Sequence, residues 1–293
     1  MRNVRLLHTA AISLALIGTL GLSTACSEQS SEGTPSSAAT AIPADTHIHG
    51  AVRDPADGTL LVATHHGLFK KSDDGLNAVG PVVDLMGFAV APDGTFYASG
   101  HPGMQTDLPQ PLGLVQSTDG GATWEVLSRG GESDFHALAV SDDQVLGYDG
   151  ALRVSTDGKV WATHDIPQEP ISLAISPDGA TVLASTGAAV LSIGTAVLQS
   201  GANLATWSPL PAAPPAVLVS YADASTIIVL AQDGRLHQSN DGGTTWTAGS
   251  TPVPTPSSLS AVRVDDATVE VLVGSGNRVL STTDLGATTS PLI

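Results

Sequence analysis

Cysteine is almost absent from this chain: Cys26 is the only one. No intramolecular disulfide can form, so any folded domain is held by its core alone. Basic residues are scarce too, with 11 lysines and arginines against 28 acids and a formal net charge of −17. Such a surface repels nucleic acid and anionic lipid headgroups, which excludes binding to either through charge. Aromatic residues make up only 4% of the chain, and just four are tryptophan. No apolar stretch reaches the length of a membrane-spanning helix, the longest N-terminal one running from Leu14 to Leu22. Runs with a 3.6-residue apolar period are missing as well, which argues against a helical protein.

What is present at the N-terminus reads as an export signal. Arg2 and Arg5 precede the Leu14–Leu22 run, and small residues lead into "LSTAC" ending at Cys26. The stretch resembles a bacterial lipoprotein signal with its lipobox, although Ser23 stands where an aliphatic residue is usual. The resemblance implies a signal peptide over 1–25, a lipidated Cys26 and anchoring to the outer surface of the cell membrane. Residues 26–44 are rich in Ser, Thr, Ala and Pro and carry too little apolar surface to fold, so they are expected to form a flexible tether. A single large domain is expected over residues 45–293.

A repeat sets the expected fold of that domain. "STDGGATW" (117–124) and "SNDGGTTW" (239–246) both read S-x-D-x-G-x-T-W, through Ser117, Asp119, Gly121, Thr123 and Trp124 and through Ser239, Asp241, Gly243, Thr245 and Trp246. Degenerate copies are "STDGKVW" (155–161), "SGANLATW" (200–207), "TTDLGATT" (282–289) and the front half "SDDG" (72–75). The aspartate-equivalent positions 74, 119, 157, 202, 241 and 284 lie 45, 38, 45, 39 and 43 residues apart. That period is one four-stranded blade, and the intervening segments alternate short apolar runs with turn signals such as "PDG". The expectation is an all-β, six-bladed β-propeller. The turn chemistry explains the motif. Glycine supplies positive φ, Asp and Ser side chains bond turn amides, and tryptophan fills the gap between blades. The motif matches the Asp-box, or BNR repeat, and residues 45–293 resemble bacterial Asp-box lipoproteins often labelled glycosyl hydrolase or exo-α-sialidase-like. "HIHG", "ATHHGLF", "SGHPG" and "DFHAL" are similar to a recurring signature of that group.

Propeller topology then sorts the histidines. The repeat turns join the third and fourth strands and mark one face. The loops before first strands and after second strands share the other, where loops on a rigid scaffold usually carry function. His47, His49, His65, His66, Met86, His101 and His136 all fall on that loop face, within blades 1 to 3. Alignment of the blades puts His49, Met86, His136 and Ile171 at one equivalent position, at the start of the innermost strands and beside the central channel. His49, His136, His65, His101 and Met86 are candidate ligands for a transition metal, with imidazole suiting zinc or copper and a thioether tilting the choice toward copper. Asp107, Glu132, Asp134 and Asp149 are candidate catalytic carboxylates, since a glycosidase needs two. A sialidase-type arginine triad cannot be assembled, because Arg129 is the only arginine in a loop of that face. The expected function is therefore a monomeric binding or assembly module for an extracytoplasmic protein or glycan. A glycoside hydrolase without sialidase specificity is the alternative.

Overall fold

The computed structural model describes residues 42–194 and 206–293. The expected signal peptide, Cys26 and the expected tether up to residue 41 lie outside the described residues, as do residues 200–205 of the degenerate repeat in blade 4. The described chain is all-β, in six sheets of four antiparallel strands each, and every sheet is made of four strands consecutive in sequence. This is the six-bladed propeller expected from the repeat. The innermost strands of blades 1 to 6 are Ile48–Arg53, Asp84–Val90, Ala137–Val140, Ser172–Ile175, Ala216–Tyr221 and Pro256–Arg263, each packed beside the next and the last beside the first.

The core is distributed between blades. Each second strand is covered on both faces by neighbouring blades, so it reads as a continuous apolar run instead of an alternating one. Leu60–Thr64 and Ile227–Ala231 are buried at every position. Six apolar clusters fill the six gaps. Trp124 sits with Leu68 of blade 1 and Phe96 of blade 2, Trp207 joins blades 3 and 4, and Trp161 and Trp246 pack at the edges of two further clusters.

The repeat turns are built as their chemistry requires. Ser117 Oγ donates to Asp119 Oδ1 (2.7 Å) and accepts from the Gly121 amide (2.8 Å), while Thr123 donates through its amide (2.9 Å) and its hydroxyl (2.6 Å) to the same carboxylate. The same bonds recur around Asp241 and Asp284. Bonds from Thr123 and Ser117 bring the Asp119 carboxyl down to about 2, and those from Thr245 and Ser239 do the same for Asp241. Gly121 has φ +93°, and a Cβ there would stand 2.3 Å from Leu68 Cδ2, so any other residue is refused twice. Blade 1 departs from the pattern. Its "SDDG" is a two-residue hairpin in which Ser72 pairs with Gly75, and the second half of the motif has no counterpart because the third and fourth strands follow without a gap.

No strand is shared between the first and last blades among the described residues, so the ring closes by side chains. Arg53 donates twice to Glu270, from Nε to Oε2 (2.9 Å) and from Nη2 to Oε1 (2.8 Å), and Ser281 Oγ donates to the same carboxylate (2.8 Å). Ser260 Oγ donates to the Ala51 carbonyl (2.6 Å). Beneath these bonds Ile48, Ala51, Leu60 and Val62 pack with Leu272 and Val279. Ile42, placed by the sequence within the tether, packs against this cluster together with Leu292 and Ile293, so packed chain begins before residue 45.

Candidate functional site on the loop face of blades 1 to 3

A β-bulge decides what the channel mouth displays. In the innermost strand of blade 1 the register skips between Ile48 and Gly50, leaving His49 unpaired. The same irregularity falls between Leu85 and Gly87, Ala216 and Leu218, and Pro256 and Ser258, so Met86, Val217 and Ser257 are the skipped residues of blades 2, 5 and 6. Bulges re-aim side chains. Here His49, Met86, His136, Ile171 and Ser257 line one central cavity of about 500 Å³. His49, Met86, His136 and Ile171, equivalent in the repeat, thus border one cavity.

A second repeat sits beneath it. Ile48, Leu85 and Phe135 are fully buried, and each is flanked by two residues of the face: His47 and His49, Asp84 and Met86, Asp134 and His136. The buried residue fixes the segment and its neighbours are presented to solvent. Phe135 is held further by its amide, which donates to Ser99 Oγ (2.8 Å).

The result is an alternating row of imidazoles and carboxylates. His49 Nε2 lies 3.5 Å from Asp84 Oδ1, and Asp84 Oδ2 lies 3.6 Å from His101 Nδ1. His101 Nε2 lies 3.3 Å from Asp134 Oδ2, to which His136 Nε2 donates at 2.9 Å. Each carboxylate therefore serves two histidines, and His101 faces both carboxylates. Asp84 Oδ1 and Asp134 Oδ1 are buried without a hydrogen-bond partner, which leaves acceptor capacity at the row. A second group adjoins His49. The His65 ring is 6.4 Å from His49, 5.6 Å from His47 and 4.0 Å from His66. The His47 amide donates to His65 Nδ1 (3.1 Å), and His66 Nε2 lies 3.9 Å from Asp45 Oδ1. Burial lowers the His49 imidazole below its ordinary value, against the pull of Asp84, and His65, His47 and His136 push the same way. Burial and His66 also lower His65. Both rings are therefore neutral at pH 7 and able to accept through nitrogen.

The contacts order the six histidines as a row and an adjoining group. Among the described residues no set of three or more His, Cys, Asp or Glu side chains is placed to hold a metal ion. The candidate carboxylates also separate. Asp107 is exposed in the loop after His101. Glu132 is exposed and lies 3.5 Å from Arg129 Nη1. Asp134 belongs to the row. Asp149 accepts from Ser133 Oγ (2.6 Å), Arg153 Nε (3.0 Å) and Arg129 Nη2 (3.3 Å). Burial raises its carboxyl, but these donors outweigh burial and hold it below the ordinary range, the opposite of what a general acid needs. Arg129 is consumed in the same contacts, so the one arginine in a loop of this face is tied to carboxylates of its own chain. Asp84 is not among the carboxylates singled out from the sequence. The cue was available in "DLM" and "DFH", where an acid stands two residues before a channel residue in successive blades.

No family model matches the chain, and no curated protein matches it either. Solved structures share its fold. A GH74 enzyme from Niastella koreensis aligns with TM-score 0.51 at 19% identity, covering 83% of this chain and 46% of that one. The present chain therefore spans less than half of the enzyme. The nidogen/laminin complex aligns with TM-score 0.60 at 12% identity, over 79% of this chain and 91% of the other. A catalytically inactive histidine-to-alanine form of virginiamycin B lyase from Staphylococcus aureus, solved with quinupristin, aligns with TM-score 0.54 at 13% identity, over 84% of each chain. At these identities the likeness is one of fold: a β-propeller, found alike in enzymes and in a protein complex.

Proposed function

We propose that the chain is an exported Asp-box propeller, anchored through a lipid on Cys26, that docks an extracytoplasmic protein or glycan on the loop face of blades 1 to 3. The alternating histidine–aspartate row carries this reading. Three blades contribute to it, two carboxylate oxygens in it are buried without partners, and it adjoins a central cavity of about 500 Å³. Its chemistry favours a ligand that brings hydrogen-bond donors to the carboxylates and imidazoles of the row. An anionic ligand is disfavoured, since Arg129 is already bound to Asp149 and Glu132. The nidogen/laminin complex offers a parallel of a similar fold within a protein complex.

Glycoside hydrolysis is the second reading, favoured by the fold shared with the GH74 enzyme. Engagement of Asp149 with two arginines leaves Asp107, Glu132 and Asp134 as its candidates. A photo-cross-linking amino acid at Gln105, on the loop face, is expected to trap a ligand in whole cells, while the same group at Thr244, in a repeat turn, traps none. Equal trapping at both positions would remove the docking face. Glycoside cleavage that is lost in Asp134→Asn would favour the enzyme.

A further inference from the structure

We propose that His49, Met86 and His136 form a site for a single Cu(I) ion at the mouth of the channel. This deepens the reading of the loop face as a binding face and rests on it. The three residues occupy the same position in three consecutive blades and line one cavity. Two of them, His49 and Met86, stand at bulges that withdraw them from strand pairing.

The carboxylates beside the two imidazoles do what outer-shell groups do at metal centres. A ligating histidine turns its second nitrogen to a carboxylate, which fixes the ring and its tautomer. His136 Nε2 donates to Asp134 (2.9 Å) and His49 Nε2 faces Asp84 at 3.5 Å. The bond to Asp134 leaves Nδ1 of His136 as its acceptor, and the Nδ1 atoms of both rings lack a hydrogen-bond partner among the described residues. Two other histidines of the face have engaged ring nitrogens. His65 Nδ1 accepts the His47 amide, and both nitrogens of His101 face carboxylates. The third donor is the Met86 thioether, which lines the same cavity from the blade between them. Two imidazoles and a thioether make a soft donor set, which selects Cu(I) over magnesium, calcium or manganese, ions that prefer oxygen ligands.

The test uses the full chain, purified in detergent without a histidine tag and titrated anaerobically with Cu(I) against a chromophoric Cu(I) chelator. The expected result is one Cu(I) per chain. Met86→Leu, His49→Ala and His136→Ala should each weaken binding by about tenfold or more, and Asp134→Asn by about 10- to 100-fold through the outer shell. Met104→Leu and His237→Ala, which change a methionine and a histidine elsewhere, should leave it unchanged. Met86→Leu conserves volume, so its melting curve separates a lost ligand from a lost fold. X-ray absorption should show a sulfur neighbour in the wild type that is missing in Met86→Leu. Failure to hold Cu(I) against the chelator, or equal affinity in Met86→Leu and Met104→Leu, would overturn the site. Cross-linking at Gln105 that persists without copper binding would sink the copper site alone. Copper binding with equal trapping at Gln105 and Thr244 would sink the docking face alone.

Discussion

Phe135→Ala is expected to cost about 3–5 kcal/mol of stability and to dismantle the site with the same substitution. Phe135 is fully buried between blades 2 and 3, in a cluster with Leu114 and Val145, and its ring lies 5.3 Å from that of Trp161. Two glycines shape its pocket. A Cβ on Gly147 would stand 2.5 Å from the ring, and one on Gly87 would stand 2.1 Å from the Phe135 carbonyl oxygen. Part of the wall against the ring is therefore the Gly147 backbone, which cannot collapse into the space an alanine leaves. Phe135 also fixes its neighbours Asp134 and His136, so the row should lose its central carboxylate and its last imidazole. For a domain of this size the loss corresponds to a fall of roughly 10 °C in Tm, measurable by circular dichroism. Gly147→Ala, which crowds the same ring from the other side, should destabilise as well. A Phe135→Ala protein melting within about a degree of the wild type would show that the residue does not anchor this segment.

Asp149→Ala is expected to be nearly as damaging, at about 3 kcal/mol. Its side chain is only 6% exposed and joins Ser133 and Arg129 of the inter-blade loop to Arg153 on the third strand of blade 3. Removal leaves the half-buried Arg153 guanidinium without its counter-charge and Arg129 with only the exposed Glu132, and stranding a charge costs more than a pair contributes. The lowered carboxyl pKa adds a pH signature. Because the folded value lies below the unfolded one, the contribution is complete at neutral pH and disappears as pH falls through the folded value. The gap in stability between wild type and Asp149→Ala should therefore narrow in acid. A catalytic carboxylate behaves in the opposite way, with activity lost and stability kept or improved. Urea denaturation of Asp149→Ala at pH 7 and in acid separates the two roles.

The difference between what was legible in the sequence and what was not follows from the range of the interactions. A repeat turn is local chemistry: Ser117, Asp119, Gly121 and Thr123 satisfy one another within a few residues, so its residue types recur and can be read. Blade number, strand order and the division into two faces follow from that recurrence. The site is made of contacts between blades, such as His49 with Asp84 and His101 with Asp134, whose partners carry no shared local motif. Bulges have no residue signature here, since the skipped positions hold His, Met, Val and Ser. Candidate residues were therefore legible by position. Whether they met at one point, formed a row, or, like Asp149, were held by arginines depended on packing. The Arg53–Glu270 latch, which closes the ring across 217 residues, was not visible in any local pattern.

One row, coupled through two carboxylates that share a histidine, is the claim on which the functional reading stands. Ring-nitrogen NMR of the chain labelled with ¹⁵N-histidine tests it directly, in the wild type, Asp84→Asn and Asp134→Asn. Asp84→Asn should move the signals of His49 and His101, and Asp134→Asn those of His101 and His136. His237, on the third strand of blade 5, should move in neither. If His101 ignores either substitution, or if each histidine responds independently of its neighbours, the loop face holds separate polar side chains and not one site.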